Sequence, residues 1–153
     1  MDAKGNIASC YGFLGRQEEA LAMNREIHAA TIKMFGKEHR DSCAITINLG
    51  IALIDMGRPE EAKPLLRDQI PFSVRCLGPE HEVTLTLRWK YACAIGECSL
   101  CDPNALREAI SMLEAVLKIS RRVLGAKYPT TKWIQDSLTY FGQFERAQDF
   151  FFK

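Results

Sequence analysis

The sequence predicts an all-α solenoid of about four antiparallel helix pairs, and three observations carry that expectation. Gly15-Arg16-Gln17-Glu18-Glu19-Ala20 returns as Gly57-Arg58-Pro59-Glu60-Glu61-Ala62, 42 residues downstream. Phe35-Gly36-Lys37-Glu38-His39 returns as Leu77-Gly78-Pro79-Glu80-His81 at the same distance of 42, and Leu124-Gly125-Ala126-Lys127-Tyr128-Pro129 follows after 47. Each period also holds two apolar stretches at helical spacing. A period of this size means stacked supersecondary units, none able to bury its apolar face alone.

The elements follow in order. The first pair is expected over about residues 3–14 and 17–35. In the second unit Ile45, Leu49, Ala52, Leu53 and Met56 form one apolar stripe, ended by Gly57. Pro59-Glu60-Glu61 then opens the next helix: proline suits the first helical position, and acids suit the positive end of the helix dipole. Ala62, Leu65, Leu66, Ile70 and Leu77 continue to Gly78, the expected left-handed cap. Pro71 should kink or end that helix, because it removes a backbone donor.

The third pair is expected over about 83–97 and 103–124, with Asp102 as cap and Pro103 in the first turn. This unit is longer by five residues, which the reading assigns to the connection Gly96-Glu97-Cys98-Ser99-Leu100-Cys101-Asp102. The fourth pair is expected over about 130–141 and 144–152, making its period about four residues short after Gly125. Small residues recur twelve apart, at Ala8 and Ala20 and at Gly50 and Ala62; Ala92 and Ala109 keep the relation once the five inserted residues are removed. A small residue on each of two antiparallel helices lets their backbones approach. The expected organisation is one domain over 1–153, with repeats at about 1–40, 41–82, 83–129 and 130–153.

Composition bounds the function. The chain of 153 residues is 47% hydrophobic and 25% charged, the profile of a folded protein, and its net charge of +1 creates no global field for nucleic acid or an anionic membrane. No apolar run approaches the roughly 18 residues of a spanning helix. The segment Met1-Asp2-Ala3-Lys4-Gly5-Asn6 lacks a secretory h-region, so the expected compartment is cytoplasmic and the six cysteines are expected reduced. Cys98-x-x-Cys101 lies before Pro103 between Glu97 and Asp102, a setting that disfavours a thiolate, and it lacks the further ligands of a zinc site. His39 and His81 recur at one loop position, which suits a hydrogen bond holding the loop better than catalysis. No nucleophile–base arrangement, phosphate loop or zinc-protease motif can be assembled. No enzyme activity, cofactor or metal is expected.

Leu77-Gly78-Pro79-Glu80-His81, Leu124-Gly125-Ala126-Lys127-Tyr128-Pro129 and Asn48-Leu49-Gly50 followed by Gly57-Arg58-Pro59-Glu60-Glu61-Ala62 resemble a tetratricopeptide repeat array of the kinesin-light-chain type. The family pairs a 42-residue unit with a loop of pattern L-G-x-x-H-P. This chain departs from it with Arg40 and Glu82 in place of proline, and Tyr128 in place of histidine. The resemblance implies a right-handed superhelix whose first helices line a concave, peptide-binding groove. It maps that groove onto Asn6, Ser9, Ile47, Asn48, Ile51, Trp89, Lys90, Lys132 and Tyr140, with Phe13, Asp55, Thr86, Cys93, Trp133 and Asp136 on the same face. Asn6 and Asn48 match the asparagines that hold a peptide backbone; Lys90 and Trp133 replace the others. Ile47, Ile51 and Trp89 are the candidate anchors or, alternatively, packing residues between helices, and Lys90 and Lys132 would meet acidic residues. The implied function is a protein-interaction adaptor or scaffold with a protein or peptide partner, not nucleic acid or membrane. A second reading is self-association through Phe150, Phe151 and Phe152; a third is thiol chemistry at Cys98 and Cys101.

Overall fold

The computed structural model describes residues 16–98 and 102–151, with side chains through Ala147. Those residues form six helices and no strand: α1 (Gln17–Phe35), α2 (Arg40–Asp55), α3 (Pro59–Leu77), α4 (Glu82–Cys98), α5 (Pro103–Val123) and α6 (Pro129–Phe151). α2, α4 and α6 are the first helices of units two to four; α1, α3 and α5 are the second helices of units one to three.

Local chemistry sets the helix ends. At Gly57 the backbone turns to φ 68°, and the Arg58 N–H closes back onto the Leu53 carbonyl at 2.8 Å. That closure needs a left-handed residue, which glycine adopts without a Cβ penalty. Pro59 then starts α3 where no backbone donor is missed. The recurrent histidine is a cap: the Asp41 N–H donates to His39 Nδ1 and the Val83 N–H to His81 Nδ1, both at 3.2 Å. In the third copy Tyr128 ties the loop to the preceding unit instead. Its hydroxyl and that of Thr130 both donate to the Glu82 carboxylate at 3.0 Å.

Each helix packs only on near neighbours in the chain. α2 packs on α1, α3 and α4, and α4 on α3, α5 and α6, whereas the backbones of α1, α3 and α5 do not approach one another; the Arg25–Glu61 ion pair at 2.7 Å links α1 to α3 through side chains alone. The first helices α2, α4 and α6 therefore pack side by side, while the second helices stand further apart. Two apolar clusters replace a common centre. One gathers Leu21, Cys43, Ile47, Leu53, Leu66 and Leu87; the other gathers Leu85, Trp89, Leu106, Leu113, Ile134 and Phe141; Ile54 packs against both. Gly50 faces the Leu66 side chain and Gly96 the Phe141 ring, so closely that an added Cβ would lie 2.7 and 2.5 Å from them. Buried hydroxyls cross successive junctions: Ser73 with Thr84 at 2.6 Å and Ser120 with Thr131 at 2.7 Å.

Three expectations change. α3 runs through Pro71, and through Pro64 as well. The two prolines are seven residues apart, two helical turns, and both are exposed, so solvent can serve the carbonyls they free. The opposite face is held by Ala62, Leu66, Gln69 and Ser73. The five extra residues of unit three do not simply form a loop. α5 begins six residues before Ala109, whereas α3 begins three before Ala62, so most of the insertion extends the helix. Asp102 makes this possible by accepting from the Asn104 and Ala105 N–H groups at 3.0 and 3.4 Å. Finally, α6 is continuous where a turn was expected at Gly142. Phe144 follows Gly142 by two residues as Pro59 follows Gly57, but it is not a proline, and the backbone bonds run on uninterrupted. The shortfall assigned to unit four disappears with that turn: Pro129 follows Glu82 at the same 47-residue spacing as the preceding loops.

Candidate functional site

The first-helix side carries a trough. Its lining repeats at three- and four-residue steps on each helix: Ile51, Ile54 and Asp55 from α2; Lys90, Cys93 and Glu97 from α4; Asp136, Ser137 and Tyr140 from α6, with Phe141. This part encloses about 320 Å³. A contiguous hollow of about 450 Å³ shares Ile51, Lys90 and Asp136 and adds Thr86, Trp89 and Trp133.

Two tryptophans shape it. Trp89 and Trp133 stack with ring centroids 6.3 Å apart and planes 21° from parallel. The Trp89 indole N–H donates to Ser137 Oγ at 2.9 Å, and the Ser137 hydroxyl donates to the Trp133 carbonyl at 3.0 Å. Trp89 is only 6% exposed but Trp133 is 55% exposed, so Trp89 is wall and Trp133 is the aromatic face offered to solvent. Tyr140, 43% exposed, meets Phe141 and Phe144 edge-on at 5.1 and 5.0 Å.

Lys90 lies in the middle, its Nζ 3.8 Å from the Trp89 ring centroid. Burial pushes its pKa down, while Cys93 and Asp55 oppose that shift. Burial also pushes the Glu97 carboxyl up. The Cys93 thiol is raised by burial, against the Ser137 hydrogen bond and the Lys90 charge, so it is a neutral wall group rather than a nucleophile.

The expected groove residues separate. Ile51, Trp89, Lys90 and Tyr140 come together in the trough. Ile47 does not: it is 8% exposed and turned into the Leu53–Leu66 cluster, the packing alternative. Asn48 and Lys132 are exposed but outside the lining. Trp133 does not occupy the asparagine column. With α6 offset by 47 residues from α4, Ser137 stands in the column of Asn48 and Lys90. Asn6 and Ser9 lie outside the described residues, as do Cys101, Phe152 and the side chains of Phe150 and Phe151. Cys98 is exposed at the end of α4, and burial together with Glu60 raises its pKa, which disfavours thiol chemistry there. Glu97, Ser137, Ile54 and Phe141 were not read as groove residues. Their signal was the 90, 93, 97 and 133, 137, 140 spacing, hidden for α6 by the assumed turn at Gly142.

The tetratricopeptide repeat profile matches residues 1–41 and 43–82, more than half of the chain. The chain belongs to the tetratricopeptide repeat family. It is similar to solved repeat arrays. Two are structures of a Podosopora anserina protein assigned as a kinesin light chain, with nearly identical TPR-like repeats; one carries the Q17M substitution. The Q17M form is 20% identical with a TM-score of 0.58, over 97% of this chain and 87% of that one. The other is 20% identical with a TM-score of 0.57, over 97% and 88%. At that identity the likeness concerns the fold of the repeat array. No curated protein sequence matches. Among the described residues of this tetratricopeptide repeat chain, no three His, Cys, Asp or Glu side chains are grouped to hold a metal ion, and no helix is long and apolar enough to cross a membrane.

Proposed function

We propose that this array is a non-enzymatic adaptor that holds a peptide segment or partner helix in the trough across α2, α4 and α6, in a reducing, cytoplasmic setting. The observation that carries the reading is the pairing of an exposed Trp133 and Tyr140 with a rigid floor of Ile51 and Trp89 on one continuous hollow. Large amphipathic rings on a fixed wall are the kind of anchor from which interfaces draw most of their affinity. A repeat array also keeps such anchors at fixed separations, because each unit is braced by its neighbours.

The test is a displayed-peptide selection on the wild-type array, followed by affinity measurement on a Trp133→Ala, Tyr140→Ala variant. Peptides enriched on the wild type should bind the variant at least about tenfold more weakly, the loss of one anchor-sized contact. Equal affinity for both proteins would place the binding surface elsewhere.

A further inference from the structure

The trough is lined by three carboxylates, Asp55, Glu97 and Asp136, and one ammonium, Lys90. With all four ionised the lining carries two net negative charges, on a chain whose overall charge is +1. Several acids elsewhere are engaged: Glu61 with Arg25 and Arg58, Glu38 with Arg75, Glu80 with Arg122, and Glu82 with Tyr128 and Thr130. Among the described residues, none of the three trough carboxylates makes an ion pair or hydrogen bond within the protein. Lys90 offsets one of these charges and acts on Asp55 through space, but its ammonium lies against the Trp89 ring and makes no ion pair with any of the three. Asp55 and Asp136 are exposed, on α2 and α6 to either side of Lys90 on α4.

From this juxtaposition we infer that the occupant is a cationic segment, an apolar side chain flanked on both sides by Lys or Arg. The apolar side chain rests on Ile51 and Trp133, and the flanking cations reach Asp55 and Asp136. The inference rests on the trough reading above and narrows it to one charge class. It reverses the sequence-level assignment of Lys90 and Lys132 to acidic partners. The physical reason is complementarity: opposite charge across an interface sets partner choice and encounter rate, and like charge penalises the wrong partner.

Three acetylated ten-residue peptides test it, each with a central Leu-Phe pair flanked on both sides by two lysines, two glutamines or two glutamates. Binding is read by fluorescence anisotropy at low salt and again at about 0.5 M salt, where the Debye length shrinks well below that at 0.1 M. The lysine peptide should bind at least about tenfold more tightly than the glutamate peptide, with the glutamine peptide between. The advantage should shrink at high salt and fall below about threefold in an Asp55→Asn, Asp136→Asn variant. Both substitutions are exposed and near-isosteric, and a matching thermal melt verifies folding. Equal binding of all three peptides, lost in the Trp133→Ala, Tyr140→Ala variant, would overturn the charge claim and leave the trough standing. Preference for the glutamate peptide would overturn the claim outright. Binding of none would overturn it too, and the displayed-peptide selection then decides the trough separately.

Discussion

At His28 a single proton fixes the chemistry of a side chain. The Thr46 hydroxyl donates to the Ser42 carbonyl at 2.7 Å, so in the His28–Thr46 contact at 3.1 Å the ring Nε2 must be the donor. Burial, and then Lys37, hold the His28 pKa below its ordinary value. The folded ring therefore resists protonation that the unfolded ring accepts below about pH 6.5. The unfolded state binds more protons in that window, so His28 costs stability as pH falls through it. The melting temperature of His28→Gln should accordingly drop less between pH 7.5 and 5.5 than that of the wild type; parallel pH profiles would refute this. The thiols give a second residue-level test. Cys43 and Cys93 are buried, and burial raises both pKa values, whereas Cys76 and Cys98 are exposed. Among these four thiols, native-state alkylation at pH 8, read residue by residue by mass spectrometry, should label Cys76 first. Cys98 should be slower, because its pKa is raised, and Cys43 and Cys93 should react only on unfolding. Early labelling of Cys43 would contradict the packing of α2.

Two glycines separate the fates of two helices. In α4 an added methyl at Gly96 would meet the Phe141 ring at 2.5 Å, so Gly96→Ala should destabilise by about 1–3 kcal/mol. In α6 a Cβ at Gly142 meets nothing within 4 Å and its backbone is helical, so Gly142→Ala should stabilise by about 0.5–1 kcal/mol. Urea unfolding of the two variants measures both; a loss at Gly142→Ala would mean that α6 is broken there. The Asp102→Ala change, which removes the cap of α5, should cost about 1 kcal/mol by the same method. These sites also mark how far elements could be read from sequence. Asp102, Pro59 and Gly57 carry their own capping chemistry, so those ends were legible. Gly142 repeats the glycine of a turn without the proline that enforces one, and the motif alone could not show that α6 continues. Pro71 misled in the opposite sense, because its effect depends on which face of α3 meets solvent.

For the molecule as a whole, two apolar clusters in place of one centre imply stability assembled from neighbour terms. Leu113→Ala removes a fully buried side chain from the α4–α6 cluster and should cost about 2–5 kcal/mol there. Amide exchange followed by mass spectrometry should show α5 and α6 losing most protection, with α2 and α3 much less affected. A uniform loss along the chain would indicate a single cooperative core instead. The period exposed this architecture in the sequence because every unit meets the same neighbours and so repeats the same small residues and caps. The trough was only half legible: Ile51, Lys90 and Tyr140 follow from the family resemblance, but whether Ile47 or Trp89 points to core or solvent depends on the angle between adjoining hairpins. That angle is locked in part by the Ser73–Thr84 and Ser120–Thr131 couplings. Sliding one hairpin along the next by a single position would strand two hydroxyls in an oily seam, so the array tolerates gain or loss of whole modules but not of fractions. Its length is thereby quantised, and the ruler it presents to a ligand has fixed graduations.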